Sequence, residues 1–259
     1  MKYFLSLCCI IKNERYLEEF IMYYRILGVE HFYIYDNEST EPIENRLNKS
    51  YFKKMCTVIK IQGKIQQLNA YNDCIKKTNG ITKWLIIVDG DEFILPKKHN
   101  SIRDFLKEYS NYHAIGINWM MYGTSFHDKK QEGFVIDNYR FHENKQNRHI
   151  KTICKPDEVV KIVNPHYVIL KDPSKYVDPH KRIISGPFNE NNTIDIIQIN
   201  HYWGKSLEEH YEKRDRGRAT THKIRVIIEN PHIKYNVKID NLICDKYLSK
   251  LQDVKNSIK

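Results

Sequence analysis

No stretch of this 259-residue chain reaches the roughly 18 consecutive apolar residues that crossing a membrane requires. The apolar start, residues 3–11, is short, lacks a small-residue cleavage site and runs into Lys12-Asn13-Glu14, so it does not read as a secretory signal and a cytoplasmic protein is expected. Glycine-rich phosphate loops are missing as well. With no Gly-x-Gly-x-x-Gly and no Gly-Lys-Ser/Thr loop, dinucleotide oxidoreductases and the common ATPases lose support. The six cysteines (Cys8, Cys9, Cys56, Cys74, Cys154, Cys244) form no Cys-x-x-Cys pair and no zinc spacing with histidine, which leaves them as small core hydrophobes. Adjacent Cys8 and Cys9 would point to opposite faces of a strand buried on both sides. Internal repeats, low-complexity tracts, Pro/Ser-rich linkers and Arg-rich blocks are also absent.

What is present is an ordinary globular composition, 41% hydrophobic, sufficient for a proper core. Lys and Arg outnumber Asp and Glu by 42 to 32, with 17 against 14 over residues 1–110 and 25 against 18 beyond them. A net +10 suits a nucleotide, a nucleic acid, an acidic glycan or an anionic membrane surface; scattered as it is, it equally suits a solvated basic exterior.

The first half alternates strand-like and helical runs. Residues 14–28 place Tyr16, Leu17, Phe20, Ile21, Tyr24 and Leu27 at helical spacing before Gly28. Strands at 31–35, 57–61 and 84–88 follow, separated by a turn at 36–40, a short helix near 42–47 and a helix over 66–79 closed by Gly80. Such a β-α-β order with continuous apolar strands predicts an α/β fold: a Rossmann-like, mostly parallel central sheet with helices on both faces. Ligands of these sheets sit at the carboxyl ends of the strands. The polar clusters at 12–14, 36–39 and 89–92 each follow a predicted strand, and that coincidence outweighs any one cluster. Further strands are expected near 113–119, 134–140, 150–154, 166–170 and 194–200, with helices near 206–219 and 242–257. The pattern divides into a domain over 1–220, with 1–95 as its nucleotide-binding half and 96–220 as its acceptor and metal-completing half, and a C-terminal helical extension over 221–259.

Asp89-Gly90-Asp91 puts two carboxylates two residues apart after the apolar run 84–88, with Gly90 available for close approach to a ligand. Hard divalent cations take such oxygen ligands and keep positions open for phosphate oxygens; the plain alternative is a solvated acidic turn. Asp36 either accepts hydrogen bonds from a ribose or base or builds a turn. Lys12, Asn13 and Glu14 open the first helix, where unpaired backbone N–H groups attract an anion, while Asn13 serves as N-cap and Glu14 as a first-turn charge. His201 closes another apolar strand as a metal ligand, a phosphate donor or a buried histidine satisfied by backbone. Beyond it, Lys213, Arg214, Arg216 and Arg218 either neutralise phosphate or face water.

Taken in order, Ile11-Lys12-Asn13-Glu14 with Tyr16-Leu17-Glu18-Glu19-Phe20, the stretch 28–39 and the stretch 84–93 resemble the glycosyltransferase family 2-like group related to glycosyltransferase family 92. Asn118-Trp119-Met120-Met121-Tyr122-Gly123, Lys151-Thr152-Ile153-Cys154-Lys155-Pro156, His166-Tyr167 and Asn200-His201-Tyr202-Trp203-Gly204-Lys205-Ser206 fit the same group, so the resemblance covers roughly 4–218. It implies a GT-A fold, a nucleoside diphosphate sugar donor such as a UDP-sugar, a Mn²⁺ or Mg²⁺ ion and inversion at the anomeric carbon. It further implies a glycan or glycolipid acceptor of the bacterial surface, such as lipopolysaccharide, met by peripheral contact at the inner face of the membrane, with no nucleic acid partner. On this resemblance Asp36 and the Lys12, Asn13 and Glu14 edge hold the nucleoside, Asp89 and Asp91 serve metal and donor, His201 completes the metal site and Lys151 faces the donor phosphates. Tyr122 and Thr124 depart from the Phe and Ser more usual in the group, which leaves the acceptor side open.

Inversion needs a carboxylate to take the acceptor proton. Glu92, beside the acidic motif, and Asp128 and Glu132, on the loop after residue 122, are the candidates. Trp119, Tyr122 and Phe126 offer a stacking surface for an acceptor sugar, unless core packing claims them. Two other classes match less of the sequence. A sugar-nucleotide nucleotidyltransferase should bring a Gly-rich basic N-terminal loop, and a basic nucleotide- or nucleic-acid-binding module should interleave Lys and Arg with exposed aromatics.

Overall fold

The computed structural model describes residues 1–216 and 231–258. The chain lays down β1 (Tyr3–Ile11), α1 (Leu17–Ile26), β2 (His31–Asp36), the single turns α2 (Ile43–Arg46) and α3 (Ser50–Lys53), β3 (Cys56–Lys60), α4 (Gln67–Thr78) and β4 (Thr82–Ile87). Next come β5 (Glu92–Pro96), α5 (Ile102–Lys107), β6 (Ala114–Met121), α6 (Val135–Asn138), β7 (Phe141–His142) and β8 (Asn147–Cys154). The hairpin β9 (Val159–Asn164) and β10 (Tyr167–Leu170) leads to β11 (Tyr176–Val177), β12 (Ile197–His201), α7 (Leu207–Arg216), α8 (Pro231–Tyr235), β13 (Lys238–Ile239) and α9 (Leu242–Ser257).

One sheet runs β3-β2-β1-β4-β8-β6-β12-β5, with β11 pairing off β6. β3, β2, β1 and β4 are parallel neighbours. β8 runs antiparallel between β4 and β6, β12 returns parallel to β6, and β5 closes the order antiparallel to β12. The α/β class and the mostly parallel sheet are those expected. Strand alternation explains the layering. Leu5, Leu7 and Cys9 of β1, Phe32 and Ile34 of β2 and Trp84 and Ile86 of β4 enter the larger core with α1, α5 and α9. Cys8, Ile10, Tyr33, Tyr35, Leu85 and Ile87 turn to the opposite face, under Tyr71 and Cys74 of α4 and the β9-β10 hairpin. Cys8 and Cys9 thus sit on opposite faces, and all six cysteines are free thiols.

Three local expectations change. The run 134–140 is no strand: Val135 and Ile136 start the helical turn α6 because the buried Glu19 carboxylate of α1 accepts both their N–H groups, at 2.7 and 3.2 Å. The first helix begins at Leu17 with Tyr16 as its N-cap, so Asn13 does not cap it. The C-terminal helix joins the main body, since Ile243, Tyr247 and Leu251 of α9 fill the larger core and the Tyr247 ring meets Tyr23 edge-on at 5.4 Å. Among the described residues no helix is long and apolar enough to cross a membrane.

Candidate functional site

The acidic turn lies between β4 and β5, where the parallel half of the sheet presents its carboxyl ends. It is closed on itself: Asp89 N–H donates to the Glu92 side-chain Oε2 at 2.8 Å and Glu92 N–H to the Asp89 carbonyl at 3.1 Å. Asp89 Oδ1 accepts from Gln67 Nε2 at 2.7 Å and from the Tyr71 hydroxyl at 2.8 Å, and its Oδ2 pairs with Lys151 Nζ at 2.9 Å. Burial works to raise the Asp89 pKa, but the Lys151 charge together with the hydrogen bonds from Lys151 and Tyr71 holds the group below its ordinary value. Glu92 has no such surplus. Completely buried and 3.7 Å from Lys151, it is pushed well above the ordinary value by desolvation. Gly90 is packed closely in the turn, where a Cβ would come within 3.1 Å of Ile11 Cγ2 and 3.2 Å of Glu14 Cγ.

Asp91 faces β12 and α7. Its carbonyl accepts from Tyr202 N–H at 2.9 Å, and its Oδ2 stands 3.6 Å from His201 Nε2 while accepting a hydrogen bond from Lys213 Nζ. Lys213 also donates to the Trp203 carbonyl at 2.8 Å. Burial alone would raise the Asp91 pKa; Lys213 first and His201 second hold it well below normal. The His201 imidazole is buried against the Trp119 ring at a centroid distance of 4.3 Å, and burial depresses its pKa. The register that pairs His201 with Glu92 across β12 and β5 brings it to the acidic turn.

A carboxylate oxygen and a neutral imidazole nitrogen facing each other are a donor pair that Mn²⁺ or Mg²⁺ accepts, with the other positions left to phosphate oxygens and water. Asp91 and His201 fit that role. Both oxygens of Asp89 are engaged, by Gln67, Tyr71 and Lys151. Among the described residues no three His, Cys, Asp or Glu side chains converge to hold an ion.

Asp91 opens onto a cavity of about 460 Å³ that is also lined by Lys12, Arg15, Lys130, Lys205 and Lys213. Lys205, largely buried, pairs with Glu14 Oε1 at 2.9 Å, and the same oxygen accepts the Tyr16 N–H at 3.2 Å. Five cationic side chains and the four carboxylates of Glu14, Asp91, Glu209 and Glu212 thus line one pocket at the strand ends.

Residues 7–231 match the sequence model of Glycosyltransferase family 92. The chain belongs to glycosyltransferase family 92. It is 26% identical over 229 residues to a family 92 protein of Ricinus communis, across 83% of this chain and 38% of that relative. A family 92 protein of Oryza sativa subsp. japonica is 27% identical over 183 residues, across 67% of this chain and 31% of its own. The chain therefore spans well under half the length of these relatives. Among solved structures, S. aureus TarS aligns with a TM-score of 0.40 at 15% identity, over 60% of this chain and 47% of that one. HddC from Yersinia pseudotuberculosis gives 0.42 at 13% identity, over 69% and 91%.

The remaining expected residues of this family 92 chain fall in different places. Lys12, Asn13 and Glu14 do line the cavity, yet the unpaired N–H groups of α1 begin farther along, and Asn13 instead ties two loops together. Its N–H donates to Ser39 Oγ at 3.0 Å and its Oδ1 accepts from Thr40 N–H at 2.8 Å. Asp36 takes its turn-forming role, accepting from Ser39 N–H at 2.9 Å and Ile43 N–H at 3.4 Å. None of the three base candidates sits as a base. Glu92 is fully buried and accepts the Asp89 N–H, Asp128 is 76% exposed beside His232, and Glu132 is 94% exposed on Arg15; none of the three lines the cavity. Tyr122 is buried with its hydroxyl on Asp240, whereas Phe126 is exposed, so with Trp119 they build no single stacking platform. Of the four basic residues after His201, Lys213 turns inward and Arg214 pairs with Asp215, while the Arg216 side chain and Arg218 lie outside the described residues. Gln67, Tyr71 and Lys130 were not foreseen. The four-residue spacing of Gln67 and Tyr71 puts them on one face of α4, the available signal.

Proposed function

We propose that the chain transfers a sugar from a nucleoside diphosphate sugar, with UDP-sugars first in order, to a hydroxyl of a glycan or glycolipid acceptor with inversion, and that Mn²⁺ or Mg²⁺ takes part. The observation that carries this reading is the Asp91–His201 pair, 3.6 Å apart, with His201 buried behind Asp91 and Asp91 on the wall of a cavity that four lysines also line. Held by those two residues, a cation would supply charge for a departing diphosphate. The chain's own groups bind and orient the donor. Lys205 and Lys213 offer ammonium groups to the same anion. Asp89, a third of its side chain still exposed, is fixed by Gln67, Tyr71 and Lys151 as a preset acceptor for sugar or ribose hydroxyls. Tyr202 N–H locks the Asp91 backbone so that the carboxylate need not reorganise.

The test is a panel of nucleoside diphosphate sugars, offered with mixed glycan acceptors and followed by nucleotide release. Turnover with one nucleotide base is expected, falling about 100-fold or more in Asp91→Ala while the variant stays folded. Turnover in Asp91→Ala equal to the unaltered protein would remove Asp91 from the reaction.

A further inference from the structure

Three carboxylates around the acidic turn carry three ammonium partners: Lys151 on Asp89, Lys205 on Glu14 and Lys213 on Asp91. The first two pairs hold the framework. Lys151 is buried beneath the turn and Lys205 is nearly so, packed over the Tyr16 ring at 4.8 Å. The third pair differs in one respect: Lys213 binds the oxygen of Asp91 that also faces His201 Nε2. A divalent ion seated between that oxygen and that nitrogen would bond each at about 2.0–2.2 Å, in the space the ammonium group now contacts. Ammonium and ion repel one another, so each weakens the other's hold on the oxygen. Lys213 has a route of departure, because it lines the cavity and reaches it on a flexible four-carbon stem, with its Nζ 5.7 Å from the Trp203 ring centroid.

We propose that Lys213 is a built-in counter-ion of Asp91 which a divalent cation must displace, and that the displaced ammonium group moves onto the diphosphate of the bound nucleotide. The second half rests on the nucleotide reading above; the first half does not. In the ligand-free protein the lysine keeps Asp91 neutralised, and the cation must compete for the carboxylate. A nucleotide diphosphate relieves that competition by giving the lysine a new partner. Cation and nucleotide then strengthen each other's binding, with Lys213 as the coupling element.

The test is Mn²⁺ binding, read from the electron paramagnetic resonance of the free ion, with and without UDP or GDP, for the unaltered protein, Lys213→Met and Lys213→Arg. Circular dichroism checks that each variant is folded, and Lys213→Arg keeps the charge should the methionine variant fail to fold. Without nucleotide, Lys213→Met is expected to bind Mn²⁺ about 5- to 10-fold more tightly than the unaltered protein, and Lys213→Arg no more tightly. With nucleotide, the gain in Mn²⁺ affinity seen in the unaltered protein should shrink in Lys213→Met by a similar factor. Mn²⁺ binding by Lys213→Met no tighter than by the unaltered protein overturns the counter-ion role, even where UDP or GDP still strengthens binding in both. Tighter Mn²⁺ binding by Lys213→Met with no response to any nucleotide supports the counter-ion role and sinks the nucleotide reading instead.

Discussion

Replacing Glu19 with glutamine should change how stability depends on pH, in a direction fixed by where the carboxyl lies. Glu19 is buried on α1 and caps α6 through the Val135 and Ile136 N–H groups. Desolvation pushes its pKa from 4.5 up to about 8, against the lowering effect of those two hydrogen bonds. From about pH 5 to pH 8 the unfolded chain has therefore released this proton while the folded chain retains it. Stability falls as pH rises through that window, by about 1.4 kcal/mol per unit, or on the order of 4 kcal/mol over three units. Glu19→Gln keeps a carbonyl acceptor for α6 and has nothing to titrate. Urea unfolding of both proteins at pH 5, 6, 7 and 8 isolates the effect, because other titrating groups cancel in the difference. The variant should gain on the unaltered protein steadily with pH. A difference that stays flat within about 1 kcal/mol would refute the reasoning.

Lys151→Met strands the buried Glu92 and the partly exposed Asp89 without their shared cation, and should cost about 3 kcal/mol in urea unfolding, the low end of the range for a broken buried pair; a loss below about 1 kcal/mol contradicts it. Gly123→Ala places a Cβ 2.1 Å from Asn236 Oδ1 and 2.9 Å from the Tyr235 carbonyl carbon, so the segment carrying α8 should loosen at a cost of about 1–3 kcal/mol. Limited proteolysis reads that change, and unchanged cleavage around 231–240 opposes it. His166, whose pKa burial and then the Lys151 charge lower to about 3, should show ring proton shifts that stay constant in NMR above about pH 4.5; a midpoint near the ordinary histidine value tells against the packing.

β1, β2 and β4 of the parallel half were legible because they are buried on both faces and read as largely apolar runs, while β3 sits at the sheet edge with Thr57 and Lys60 exposed. Residues 134–140 misled for a non-local reason: a β-branched pair at Val135 and Ile136 suggests a strand, and the carboxylate that turns it into a helix lies 116 positions away on α1. Asp91 and His201 were both marked by standing at strand ends, and strand register brings them together. That Gln67 and Tyr71 reach Asp89 from α4 was not legible, because periodicity marks a helix face without saying which strand end it meets. Asp128 and Glu132 ride on a loop whose path no hydrophobic pattern fixes. Lys213 and Arg214 are neighbours in sequence with opposite destinations, one on Asp91 and one on Asp215, as helix geometry dictates.

Calorimetric titration of UDP into the protein, with Mn²⁺ and with a chelator, alongside Asp91→Ala, bears most directly on whether Asp91 and His201 form a cation-assisted diphosphate site. Binding that strengthens with Mn²⁺ and is lost in a folded Asp91→Ala variant is the predicted result. Binding by Asp91→Ala as tight as by the unaltered protein, or no binding of UDP, GDP or CDP under either condition, would contradict the site.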